Sequence, residues 1–70
     1  MKIAYVGCGY VFDIYMRTAW AHPELQVCGV FDIDAARAAT VGRHYGFRVY
    51  PSYQALLADP EVEIVVNLTN

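Results

Sequence analysis

Charge is scarce in this chain: only 17% of its 70 residues are Asp, Glu, Lys or Arg. Five basic residues stand against seven acidic ones, for a formal net charge of -2. Without a basic excess there is no electrostatic footprint for nucleic acid, and that class is set aside. Long apolar runs are missing too. None reaches the 18 or so residues of a membrane span, and the opening segment meets Gly7 too soon for a secretory leader. The protein is expected to be cytoplasmic, with no membrane partner. There are two cysteines, Cys8 and Cys28, without metal-ligand spacing or secretory context, so both are expected to be plain thiols. His22 and His44 have no acid or thiol at ligand spacing, and no metal site is expected. Beside Arg43 and before Gly46, His44 suits a helix C-terminus.

Apolar residues, by contrast, are abundant, at 57%. A chain of this size buries only about 60% of the surface its unfolded form exposes. Either the chain is tightly packed, or part of that apolar surface is expected to lie against something outside these 70 residues.

The apolar residues fall into short, β-branched runs, as in strands covered on both faces: Ile3 to Val6, Gln26 to Phe31, Val62 to Leu68, and a briefer one from Phe47 to Tyr50. Helical patterns separate them. From Tyr10 to Ala21 the only charges are Asp13 and Arg17, an i,i+4 pair on an otherwise apolar helix. Asp34 can cap a second helix running through Tyr45, with Gly46 as its left-handed stop. Ser52 can cap a third, carrying Tyr53, Leu56 and Leu57 and closed by Asp59 and Pro60.

The order βαβαβαβ implies right-handed parallel crossovers. The expected fold class is α/β, the first part of a doubly wound parallel sheet in strand order 3-2-1-4. The first two helices then share one face and the third lies on the other. "IVVNL" would be an uncovered apolar edge, which isolated proteins avoid. Residues 1–70 are accordingly expected to be the N-terminal part of a larger domain.

The stretch "VGCGYVF" carries the functional argument. Gly7 permits a sharp turn out of the first strand, and Gly9 lets backbone approach a pyrophosphate with no Cβ between. The helix beginning near Tyr10 offers free N–H groups and a positive end. About 20 residues on, an acid is expected at the end of the second strand, and Asp32 ends "VCGVFD" there. Its carboxylate can accept from both hydroxyls of an adenosine ribose, whereas a 2'-phosphate would bring like charge against it. A charged hydrogen bond contributes roughly 1.5–3 kcal/mol, or about tenfold or more in preference. NAD is therefore favoured, with NADP as the alternative. Arg37 can pair with a 2'-phosphate, although an ion pair with Asp34 or plain solvation is commoner. Ile33 stands where a basic or small polar residue would assist NADP. At the reversal of strand order, Leu68, Thr69 and Asn70 are candidates to flank the ribose and nicotinamide half.

Taken in order, "KIAYVGCGYV", "YMRTAWAHPEL", "GVFDIDAARA" and "YGFRVYPSYQALLADPEVEIVVNLTN" resemble the N-terminal segment of the Gfo/Idh/MocA family, oxidoreductases related to glucose-fructose oxidoreductase and inositol dehydrogenase. The resemblance implies a Rossmann pyridine-nucleotide domain followed by a substrate domain, acting on sugars, cyclitols or related hydroxy compounds, with a homo-oligomer in the full-length protein. It assigns Gly7, Gly9, Tyr10 and Val11 to the diphosphate, Asp32 to the ribose, and Leu68, Thr69 and Asn70 to the cofactor. The family's catalytic lysine lies in a later Glu-Lys-Pro segment, so no catalytic residue is assigned here.

Phe12 departs from the family, which usually has alanine or glycine there. Gly29 is expected to leave room for its ring. Three other readings fit parts of the pattern. An S-adenosylmethionine-dependent methyltransferase shares "VGCG" but wants an acid and a glycine where Tyr5 and Val11 stand. A non-enzymatic NAD-sensing module would use the same loop and acid, and glycine loops and capped helices also build plain α/β folds that bind nothing.

Overall fold

The structure is a computed structural model and describes residues 1–9, 12, 15–17 and 22–68. Its core is a parallel sheet of three strands: β1 (Lys2–Val6), β2 (Gln26–Phe31) and β3 (Ile64–Asn67). They lie in the order β2-β1-β3. β1 is the middle strand because it can afford no wet face: Ile3, Ala4, Tyr5 and Val6 are all buried. It pairs with β2 from Lys2–Gln26 to Val6–Phe31, with one irregularity between Ile3 and Ala4. On its other side it runs from Ile3–Ile64 to Val6–Asn67.

Alternation along β1 sends Ile3 and Tyr5 to one face and Ala4 and Val6 to the other. Ile3 and Tyr5 pack with Cys8, Phe12, Val30 and Val41. Ala4 and Val6 pack with Tyr50 and Leu56. The first cluster is covered by helical residues 12 and 15–17 and by α1 (Ala35–Tyr45), the second by α2 (Tyr53–Ala58). Helices therefore occupy the two faces as the connection rules require. Asp34 caps α1, its side chain accepting from the Arg37 N–H, and Gly46 ends it at φ 72°. Ser52 caps α2 through the Ala55 N–H.

The stretch Phe47 to Tyr50 is not a full strand. It meets β2 in a single parallel bridge, Val30 to Val49: the Val30 N–H donates to Arg48 O at 2.8 Å and the Tyr50 N–H to Val30 O at 2.9 Å. Both ends prevent extension. The Phe47 N–H is committed to Gly42 O, closing α1, and Pro51 has no N–H to give. β3 likewise starts two residues later than its apolar run, because the Val62 N–H closes a turn onto Asp59 O.

Phe12 is fully buried, edge-on to Tyr5 at 5.3 Å and to Tyr45 at 5.8 Å between ring centroids. Gly29 does not make its space. A Cβ on Gly29 would stand 2.6 Å from Tyr50 Cε2 and 2.7 Å from Arg48 O. The glycine is therefore required by the opposite face, where it admits the Tyr50 ring against β2.

Candidate functional site

Three chain segments end together at the carboxyl edge of the sheet. The Gly7 N–H donates to Phe31 O at 2.8 Å, and the Leu68 N–H donates to Val6 O at 2.7 Å. These bonds carry both ladders one step past the strands. The glycine loop is thereby set between the end of β2 and the start of the segment after β3. Gly7 has φ 97°, a backbone region that a side chain makes costly, so the turn requires glycine.

Asp32 faces the loop. Its Oδ2 accepts the Cys8 N–H at 2.8 Å, and its Oδ1 accepts the Asp34 N–H at 2.8 Å. The two bonds fix the carboxylate plane. An ionised carboxylate has about four acceptor positions, so roughly two remain for incoming hydroxyls. Cys8 was not among the residues singled out from the sequence, since its contribution is a backbone amide.

The other candidates are placed as follows. Gly9 is half-buried, and the nearest atom to a Cβ built on it is Arg37 Nη1 at 3.5 Å. Arg37 is exposed on the first turn of α1. The pairing of its side chain with Asp34 does not form: the ion pairs among the described residues are Lys2–Glu61, His22–Glu24 and Arg48–Asp59. Ile33, next to Asp32 in sequence, is 95% exposed. Leu68 is half-buried, and its side chain packs against the Ile3–Tyr5 cluster. Tyr10, Val11, Thr69 and Asn70, and Asp13 of the expected ion pair, lie outside the described residues.

These features suit a dinucleotide: a positive-φ turn, a glycine without steric obstruction from backbone, and an acid with its remaining acceptor positions beside them. Comparison decides the class. The sequence profile of the family described as "Oxidoreductase family, NAD-binding Rossmann fold" (GFO_IDH_MocA) matches residues 1–69.

The chain belongs to the Gfo/Idh/MocA oxidoreductase family.

Solved structures of other proteins agree with this family membership. A NAD-binding protein from Listeria innocua is 35% identical with a TM-score of 0.84, covering 97% of this chain and 20% of that one. The UDP-N-acetylglucosamine 3-dehydrogenase GnnA from Acidithiobacillus ferrooxidans is 36% identical, TM-score 0.80, covering 100% of this chain and 22% of that one. The WlbA dehydrogenase from Chromobacterium violaceum, solved with NADH and UDP-GlcNAcA, is 27% identical, TM-score 0.86, covering 99% and 20% respectively. The chain thus spans about a fifth of the length of the structures it matches. Among curated proteins none matches it significantly. The chain carries the family's NAD-binding Rossmann fold, and the methyltransferase alternative is set aside. Among the described residues, no helix is long and apolar enough to cross a membrane.

Proposed function

We propose that this chain is the cofactor-binding part of a cytoplasmic NAD-dependent dehydrogenase acting on a sugar, cyclitol or related hydroxy compound, with its substrate domain and catalytic groups in further residues and a homo-oligomeric full-length form. One observation carries the reading: the Asp32 carboxylate is bonded to the glycine-loop amide of Cys8 at 2.8 Å. An acid held there lies where an adenosine ribose must pass if its diphosphate rests on Gly7 and Gly9. Dehydrogenase relatives with a UDP-sugar in the name or bound state support the substrate class.

Bound nicotinamide supplies a hydride-accepting and hydride-donating ring. The roles proposed for this chain are binding and orientation. Gly7 and Gly9 give the diphosphate a bare backbone, with Tyr10 and Val11 continuing that contact. Asp32 accepts from the ribose hydroxyls and disfavours a 2'-phosphate by like charge. Ile33 stands where a basic or small polar residue would assist NADP, Arg37 is the residue that a 2'-phosphate would meet, and Leu68, Thr69 and Asn70 flank the ribose and nicotinamide half.

The test is a calorimetric titration with NAD and NADP. Asp32→Ala is expected to weaken NAD by about tenfold or more, from the loss of a charged hydrogen bond, and NADP by less. Equal losses would remove the ribose assignment. A non-enzymatic NAD sensor would bind in the same way, and assay of the full-length protein for turnover of UDP-sugars and polyols separates the two.

A further inference from the structure

The position of Arg37 has a use beyond meeting a 2'-phosphate. It sits one turn into α1, its own N–H held by Asp34 Oδ1 at 3.1 Å. Asp32 and Asp34 are both within five positions in sequence, and neither pairs with its guanidinium among the described residues. The head is instead laid toward the glycine loop, with Nη1 3.5 Å from where a Cβ on Gly9 would stand. The loop from Gly7 to Gly9 has no basic side chain of its own. Lys2, at the far end of β1, is bound to Glu61 at 3.3 Å. Arg48 is held by Asp59 at 3.5 Å.

A dinucleotide brings two negative charges on its diphosphate to this loop. A helix N-terminus supplies only about half a unit of positive charge, and Asp32 adds a negative one beside it. We infer that Arg37 is the counter-charge of the diphosphate, closing over Gly9 so that the phosphates lie between its guanidinium and the loop backbone. The inference rests on the cofactor reading above and deepens it. A planar guanidinium can hold two phosphate oxygens at once, and the missing Cβ of Gly9 is what lets that head come close. The group so recognised is common to NAD and NADP, which separates this role from recognition of a 2'-phosphate.

The deciding measurement is titration of the protein and of Arg37→Gln with NAD, NADP and adenosine, each at low and at high salt. The variant is expected to lose about tenfold or more toward both dinucleotides, to the same extent, with adenosine unchanged within about twofold. Its affinity is also expected to depend less on salt than the parent's, because one phosphate-pairing charge is gone. Arg37→Lys is expected to recover part of the loss. Unchanged dinucleotide affinity overturns the role of Arg37 while leaving the cofactor reading intact. A loss confined to NADP overturns it in favour of the 2'-phosphate. An equal loss toward adenosine overturns it in favour of a structural effect. If the parent binds neither dinucleotide, the inference falls together with the reading beneath it.

Discussion

At the scale of single residues, a glycine and a phenylalanine show how much a side chain's absence or presence decides. Gly29→Val is expected to destabilise the protein by about 1–3 kcal/mol or more, the range for overpacking a filled core. Its Cβ would meet the Arg48 carbonyl at 2.7 Å as well as the Tyr50 ring, and backbone cannot swing aside. Urea unfolding measures the effect, and a midpoint equal to the parent's would show that the Tyr50 side can yield. Phe12→Ala is expected to cost about 3–5 kcal/mol, because a fully buried ring against Tyr5 and Tyr45 leaves a large void. A third residue-scale effect concerns acid. The Tyr50 hydroxyl donates to Asp59 Oδ2 at 2.6 Å. Burial and that bond push the tyrosine up to about 12. The same bond, followed by the Glu61 N–H, holds the Asp59 carboxyl below its usual value. A carboxyl depressed in the folded state adds stability above its unfolded pKa and loses it as pH falls through the folded one. The protein should therefore weaken as pH drops below about 4. Tyr50→Phe is expected to flatten that decline in a series of thermal melts between pH 6 and pH 2.

Local elements follow their sequence signals closely where one residue controls the outcome. Asp34 and Ser52 cap α1 and α2, and Gly46 stops α1, because each position needs a side-chain acceptor or a left-handed backbone that few residues provide. Asp34→Ala is expected to cost about 1 kcal/mol in chemical denaturation, as an exposed N-cap lost. The parallel sheet with β1 in its middle was equally legible, since apolar runs flanked by helices leave few arrangements. Four things were not. The stretch from Phe47 to Tyr50 has strand-like residues, yet hydrogen bonds committed at both ends reduce it to one bridge. Gly29 looked like room for Phe12, but pattern alone does not say which face a strand glycine serves. In the candidate site, Asp32 and the glycines were visible by type and spacing, whereas the Cys8 amide was hidden because a backbone donor leaves no mark on residue identity. The reach of Arg37 toward the loop was hidden as well, since sequence offered Asp34 as a partner and the fold does not make that pair.

On the scale of the whole molecule, the sheet has an open side. β3 pairs with β1, and among the described residues no strand lies on its other flank. Ile64 there is 44% exposed, without the lysine or proline that commonly protects such edges. The 70-residue chain alone is accordingly expected to self-associate as its concentration rises. Ile64→Lys should shift sedimentation toward the monomer, and unchanged sedimentation would exonerate that edge.

The middle place of β1 also governs when this fold can exist. The Lys2 N–H donates to Glu63 Oε1 at 2.9 Å, across 61 positions, and β1 is enclosed only after β3 arrives. During synthesis the first strand must therefore wait, half-clothed, until nearly all 70 residues have left the ribosome. Such distant closure is a slow route to the native state, and the earliest-made part of the chain is the one most in need of shelter meanwhile.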